Sequence, residues 1–251
     1  MFTHFIVTAT SYSQHKRVAF DKVISEDEIQ PDLSFIEDIR KRNIDNIPTS
    51  FHMKSVEGSS ITDLIELDPY FSDVHFCRTV DEFIKYLFSD LETTSIDIGK
   101  YILSNIDCDA LKLQKLTYLC YADYLSKTGK KLFKDPIFAF KHGPVCKSLY
   151  EAAKGNKGAY LRYKLLPEFD EKSQTVEECR LMRCKDGFSK IASIKETLSK
   201  FKSMNKDQLI DLTHTPGSPW DLSYIKDVNW QPISDECIQK NHSAELMHLC
   251  H

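Results

Sequence analysis

The chain of 251 residues carries 33 Lys and Arg against 37 Asp and Glu, a formal net charge of −4, with 41% hydrophobic and 11% aromatic residues. That composition supplies enough apolar material for a core and excludes disorder throughout. No run approaches the roughly 20 consecutive apolar residues of a membrane helix, and no basic segment at the start leads into a long apolar stretch. A cytoplasmic protein with no membrane partner is expected.

The charge is unevenly spread: residues 1–95 hold 9 Lys and Arg against 17 Asp and Glu, and residues 96–251 hold 24 against 20. An acidic part joined to a mildly basic part predicts two units, 1–95 and 96–251, with the polar run Glu92 to Ser95 at the seam. The 8 cysteines follow no framework spacing and read as reduced thiols packed as small hydrophobes.

Met1 to Ala9 is rich in β-branched and aromatic residues, and Val18 to Ile24 alternates again after a polar break from Ser11 to Lys16. These predict two strands able to pair. Pro31-Asp32 opens a helix through Arg42, with Leu33, Phe35, Ile36 and Ile39 at helical spacing and basic residues at its end. Ser50–Val56 and Val74–Cys77 read as extended. Between them lies a short apolar run, Ile61 to Leu67, ended by Asp68-Pro69. Val80–Leu91 is an amphipathic helix, which completes an α+β unit of unassigned family.

Ile96–Ile106 predicts the first helix of the second part. From Leu111 to Leu125 the next helix has almost no polar stripe, so other elements should surround it. Asp107 or Asp109 suits its start and Gly129 its left-handed end. Pro136 and Gly143-Pro144 rule out helix in the next stretch, and Phe133, Ile137, Phe138 and Phe140 predict one or two short extended pieces packed on that helix. Val145–Ala153 returns to helical spacing with Pro144 near its first position. Gly155 to Gly158 interrupts the chain, and Leu161–Glu178, with Pro167 and mixed charge, reads as an irregular connection. Phe188–Phe201 predicts a helix built on Phe188, Ile191, Ile194, Leu198 and Phe201. Asn205 caps another helix through His214, Ser218-Pro219 resembles a helix start, and a weak helical pattern closes the chain.

Two ordered pieces are specific. The first is Lys112-Leu113-Gln114-Lys115-Leu116, Tyr118, Gly129, Leu132-Phe133, Ala139 and Lys141-His142-Gly143-Pro144-Val145 with Tyr150. The second is Leu209 to His214, then Ser218-Pro219-Trp220. Together they resemble the SocA-like antitoxin domain, also called the Panacea domain, over about residues 96–230. The resemblance implies a mainly helical domain with short extended pieces, α+β overall once the first unit is included. It implies a non-enzymatic protein that binds and neutralises a cognate toxin or other target protein, with adaptor delivery to a cellular protease as a variant. Such domains travel on phages and plasmids, so an inhibitor of a host defence system is a close relative of this reading. A nucleic-acid-binding regulator is the alternative from another class. No cofactor is implied.

The partner-binding residues expected are Phe140, Lys141, His142, Gly143, Pro144, Tyr150 and Trp220, because aromatic side chains beside a rigid turn make contact anchors. The competing account is structural: His142 fixes its turn, His214 sits protonated or donating at a helix C-terminus, and Trp220 anchors the core. Cys237, His242, His248, Cys250 and His251 gather metal-ligand types near the end of the chain, but their spacing fits no common zinc pattern, so no metal is expected. Cys179 and Cys184 read as ordinary thiols. No phosphate loop, nucleophile elbow, HExxH or EF-hand pattern occurs, so no catalytic residues are assigned. Lys112, Lys115, Lys130, Lys131 and Lys134 could follow a nucleic-acid backbone, yet Asp123 and Asp135 among them favour a solvated face.

Overall fold

In the computed structural model, which describes all residues except 12–15, 29–31, 44–46, 90, 156–158, 168–169, 171, 229 and 248–251, the chain divides into two compact units, Met1–Leu91 and Glu92–His251. The architecture is α+β, with strands concentrated in the first unit and helices in the second.

The first unit is a four-stranded sheet. The β-branched opening segment forms β1 (Phe2–Ser11), which pairs antiparallel with β2 (Lys16–Ser25), Phe2 facing Ser25. Helix α1 (Ser34–Arg42) leads to β3 (Ser50–Val56), antiparallel to β1 on its other side. The apolar run Ile61–Leu67 becomes helix α2, with Ser60 and Asp63 exchanging a capping box. A 3₁₀ turn at Pro69–Phe71, strand β4 (Val74–Cys77) parallel to β2, and helix α3 (Val80–Ser89) complete the unit, giving the order β3-β1-β2-β4. Alternation along β1 sends Val7 and Ala9 to one face, under Phe35 and Ile39 of α1 and Phe83, Ile84 and Leu87 of α3. Ile6 goes to the other, with Leu64 of α2 and Phe71. Helices therefore pack on both faces of this sheet, while Phe51 and Met53 of the edge strand β3 stay exposed. Pro31, expected to open α1, lies outside the described residues.

In the second unit, α4 (Ser95–Asn105) precedes the central helix α5 (Ala110–Thr128). Every residue of α5 from Leu113 to Leu125 is buried. The Asp109 side chain accepts the Lys112 N–H at 2.8 Å, and Gly129 closes the helix at φ 69°. Strands β5 (Ile137–Phe140) and β6 (Gly143–Cys146) form a hairpin, with Phe140 opposite Gly143. The chain continues through α6 (Lys147–Ala153), α7 (Ala159–Leu165), α8 (Ser173–Arg183), α9 (Gly187–Phe201), α10 (Lys206–Thr213), α11 (Pro219–Ser223), β7 (Gln231–Ile233) and α12 (Asp235–Met247). β7 adds to the free side of β5, giving the order β6-β5-β7. Helices α4, α6, α9, α10 and α12, together with β6, pack around α5.

Three expectations need correction, and the last, a helical pattern at the end of the chain, is met. Pro144 lies in β6 instead of at a helix start, and α6 begins only at Lys147; an edge strand tolerates the missing proline N–H. The stretch 161–178 contains most of α7 and the first half of α8, because Leu161 and Leu165 join the core and the mixed charge of α8 turns inward. There Arg180 is buried in an ion pair with Asp97. Phe188 is 74% exposed, so the apolar part of the buried face of α9 starts at Ile191, after the buried Gly187 and Lys190. The weak terminal pattern is the helix α12, whose buried residues include the polar His242 and Glu245.

Candidate partner-binding site

Two adjacent polar residues on α5, Gln114 and Lys115, lie in the core and hold β6 in place. Gln114 Oε1 accepts the Cys146 N–H at 3.0 Å, and Lys115 Nζ donates to the Pro144 carbonyl at 3.2 Å. Burial draws the Lys115 pKa down to about 7. Gly143 turns the hairpin at φ 98°, and a Cβ there would stand 2.4 Å from Lys115 Nζ and 2.9 Å from Thr213 Oγ1. Only glycine satisfies both the backbone and the space.

The second motif closes the same corner. Thr213 Oγ1 donates to the Leu209 carbonyl at 3.0 Å, and Ser218 Oγ donates to the Thr213 carbonyl at 2.9 Å while capping α11. Trp220 Nε1 then donates to the Phe140 carbonyl at 2.7 Å. The His214 ring lies 3.6 Å from that of Trp220, and Tyr224 stacks on the indole at 4.7 Å. Burial and the neighbouring Lys115 lower the His214 pKa to about 4. The neutral imidazole is thereby favoured, so of the two forms expected at this helix C-terminus, protonated or donating, the protonated one is disfavoured.

Above this corner opens a groove of about 800 Å³, bounded by the first turn of α5, the β5–β6 turn, the end of α6 and the start of α10. Phe140, Lys141, His142 and Tyr150 line it; Lys141 and His142 are at its rim, and Phe140 and Tyr150 are half-buried. Gly143, Pro144 and Trp220 are buried beneath. The structure thus separates the seven expected residues into four that are displayed and three that fix their position. Sequence reasoning missed Leu111, Gln114, Val145 and Lys206 in the lining, which come from elements that meet only on folding. It also missed Trp230, at 4.9 Å from the Phe140 ring, 5.1 Å from Phe138 and 6.0 Å from Tyr150, and 40% exposed. The sequence offers only a weak signal, a tryptophan following the spaced apolar residues Leu222, Ile225 and Val228.

His242, a residue of metal-ligand type, has both ring nitrogens engaged: Nε2 with Asp123 at 2.9 Å and Nδ1 with Glu245 at 2.5 Å. Burial opposes its charge, but these two carboxylates outweigh it and raise the pKa to about 9. Tyr118 donates to Glu245 at 3.1 Å and Thr197 to Asp123 at 2.6 Å, so the cluster fastens α12 and α9 to α5. His248, Cys250 and His251 lie outside the described residues. In the first unit, donor atoms of His75, Cys77 and Glu82 lie within 4.8 Å of one another. Burial pushes the Cys77 thiol up to about 12.

The lysine row is neither free nor uniformly solvated. Lys115 is buried, Lys112 donates to the Lys202 carbonyl, and Lys130, Lys131 and Lys134 pair with Asp186, Asp235 and Glu92. Such pairing leaves little unopposed charge for a phosphate backbone.

Residues 113–221 match the family model described as antitoxin SocA-like, Panacea domain. This span runs from α5 into α11 and includes both halves of the Lys115–Gly143–Thr213 corner. No curated protein and no solved structure matches the chain.

Proposed function

We propose that this chain, whose residues 113–221 match the model of the antitoxin SocA-like, Panacea domain, neutralises a cognate toxin by seating it on the groove face and covering the toxin's working surface. The observation that carries this reading is a division of labour within the motif. Lys115, Gly143, Thr213 and Trp220 are spent internally on making one rigid corner, while Phe140, Lys141, His142 and Tyr150 are held outward on the groove. A surface fixed in this way loses little entropy on binding, and clustered aromatics with a basic rim are the usual composition of an energetic interface centre. Trp230, packed against Phe140 and Tyr150 and partly exposed, extends the apolar contact area. No bond need be made or broken. The acidic first unit would supply a surface specific to one partner.

The domain's role is tested by expressing the neighbouring toxin-like reading frame with and without this chain. Growth arrest that is relieved by the chain, and still relieved in hosts lacking each major cellular protease, supports direct covering. Relief that vanishes in one such host assigns the adaptor route instead, and arrest that persists in the presence of the folded chain rejects the antitoxin reading. Carriage on a phage or plasmid would be consistent with either route.

A further inference from the structure

Gln114 is only 5% exposed, and its side-chain Nε2 has no hydrogen-bond partner among the described residues. The amide cannot be turned to hide this, because its oxygen is committed to the backbone N–H of Cys146. The NH₂ group therefore belongs to a residue lining the groove while lacking an acceptor. Buried donors are mostly paired in folded proteins, and among the unpartnered buried atoms of the described residues this one belongs to a residue that lines the groove.

The surroundings define the acceptor that would fit. Lys141 and Lys206 stand on the lining near a single acid, Asp109, whose carboxylate already accepts the Lys112 N–H. Two helices, α5 and α10, begin at the groove, with Ala110 and Lys206 as their first residues. The positive ends of their dipoles add to the field of the lysines. The remaining walls are apolar or aromatic, from Leu111, Val145, Phe140 and Tyr150.

We propose that the groove receives the carboxyl terminus of a partner polypeptide whose last residue is large and apolar, the carboxylate accepting from Gln114 Nε2 within the field of Lys141 and Lys206. A chain end suits this place better than a passing acidic segment. It brings a carboxylate and an apolar side chain within one residue, whereas a mid-chain segment would desolvate peptide groups on both sides of the acid that these apolar walls cannot satisfy. The proposal rests on the groove being the partner-binding face, and it names the chemistry recognised there.

The test uses the full chain, ¹⁵N-labelled, with the Gln114 side-chain amide assigned as the signal lost in Gln114→Glu. The probes are N-acetyl-phenylalanine with a free carboxylate, its amide, and inorganic phosphate. The expected result is a shift of the Gln114 NH₂ signals by the free carboxylate, with the amide and phosphate binding at least about tenfold more weakly. Lys141→Glu and Lys206→Glu, both on the groove lining and outside the core, should each weaken the free-acid probe several-fold and keep the proposal testable if Gln114→Glu misfolds. Equal binding of acid and amide, no shift at millimolar probe, or unchanged binding by both lysine variants would overturn it. Relief of growth arrest without probe binding removes this inference and leaves the antitoxin reading; probe binding without relief does the reverse.

Discussion

Substituting Gly143 by alanine tests whether the motif glycine is a packing requirement or only a turn preference. At φ 98° an L-residue is strained by about 1–3 kcal/mol. The new Cβ, 2.4 Å from Lys115 Nζ, would also drive the amine from the Pro144 carbonyl and cost about 1–3 kcal/mol for a broken buried hydrogen bond. Lys115 cannot swing away to solvent because it is fully buried, and Thr213 Oγ1 blocks the other side. A total of about 2–6 kcal/mol corresponds to a fall of roughly 4–24 °C in Tm for a unit of about 150–250 residues. Thermal unfolding monitored by tryptophan fluorescence reads this unit directly, since Trp220 and Trp230 both belong to it. Gly155→Ala is the control: φ is 82° but nothing lies within 4 Å of a Cβ, so only the strain contribution remains. In a Lys115→Met background the cost of Gly143→Ala should fall, because the blocking amine is gone. Equal costs at Gly143 and Gly155, or a cost at Gly143 unaffected by Lys115→Met, would refute the steric argument.

His242 gives a pH-dependent signature. Its pKa is raised from 6.5 to about 9 on folding, so its contribution is complete below about pH 6.5 and is lost as pH rises through about 9. The stability difference between the wild type and His242→Gln in urea unfolding should shrink over that window, and a difference independent of pH would contradict the assignment. Asp97→Asn strips the buried Arg180 of its counter-charge and should cost about 3–5 kcal/mol in the same assay. A loss below about 1 kcal/mol, the size of an exposed ion pair, would show that Arg180 is hydrated in solution.

What could be read from the residues was local. The unbroken apolar character of α5 announced its central place, and Asp109 and Gly129 marked its ends, because caps act over a few residues. The extended piece at Ile137–Phe140 was legible from its apolar residues between prolines, whereas β6 reads as the start of a helix. Inward-facing polar groups were not legible: the partners of Gln114, Lys115, Asp123 and Arg180 lie 29 to 119 residues away in the chain. A charged residue whose partner is distant looks like surface, which is why the region of α8 read as a loop and α12 as a weak pattern. The groove shares this property, since its walls come from α5, the β5–β6 turn, α6 and α10. The parallel placement of β4 beside β2 likewise depends on a crossover that no local pattern encodes.

The central claim is that the displayed face of the corner holds a protein partner. Titration calorimetry of the purified toxin against the wild type and the Phe140→Ala/His142→Ala double variant measures this most directly. Loss of an aromatic anchor and its neighbour on the groove predicts binding weaker by about tenfold or more, with cooperative unfolding retained. An unchanged affinity in a folded double variant would contradict the account.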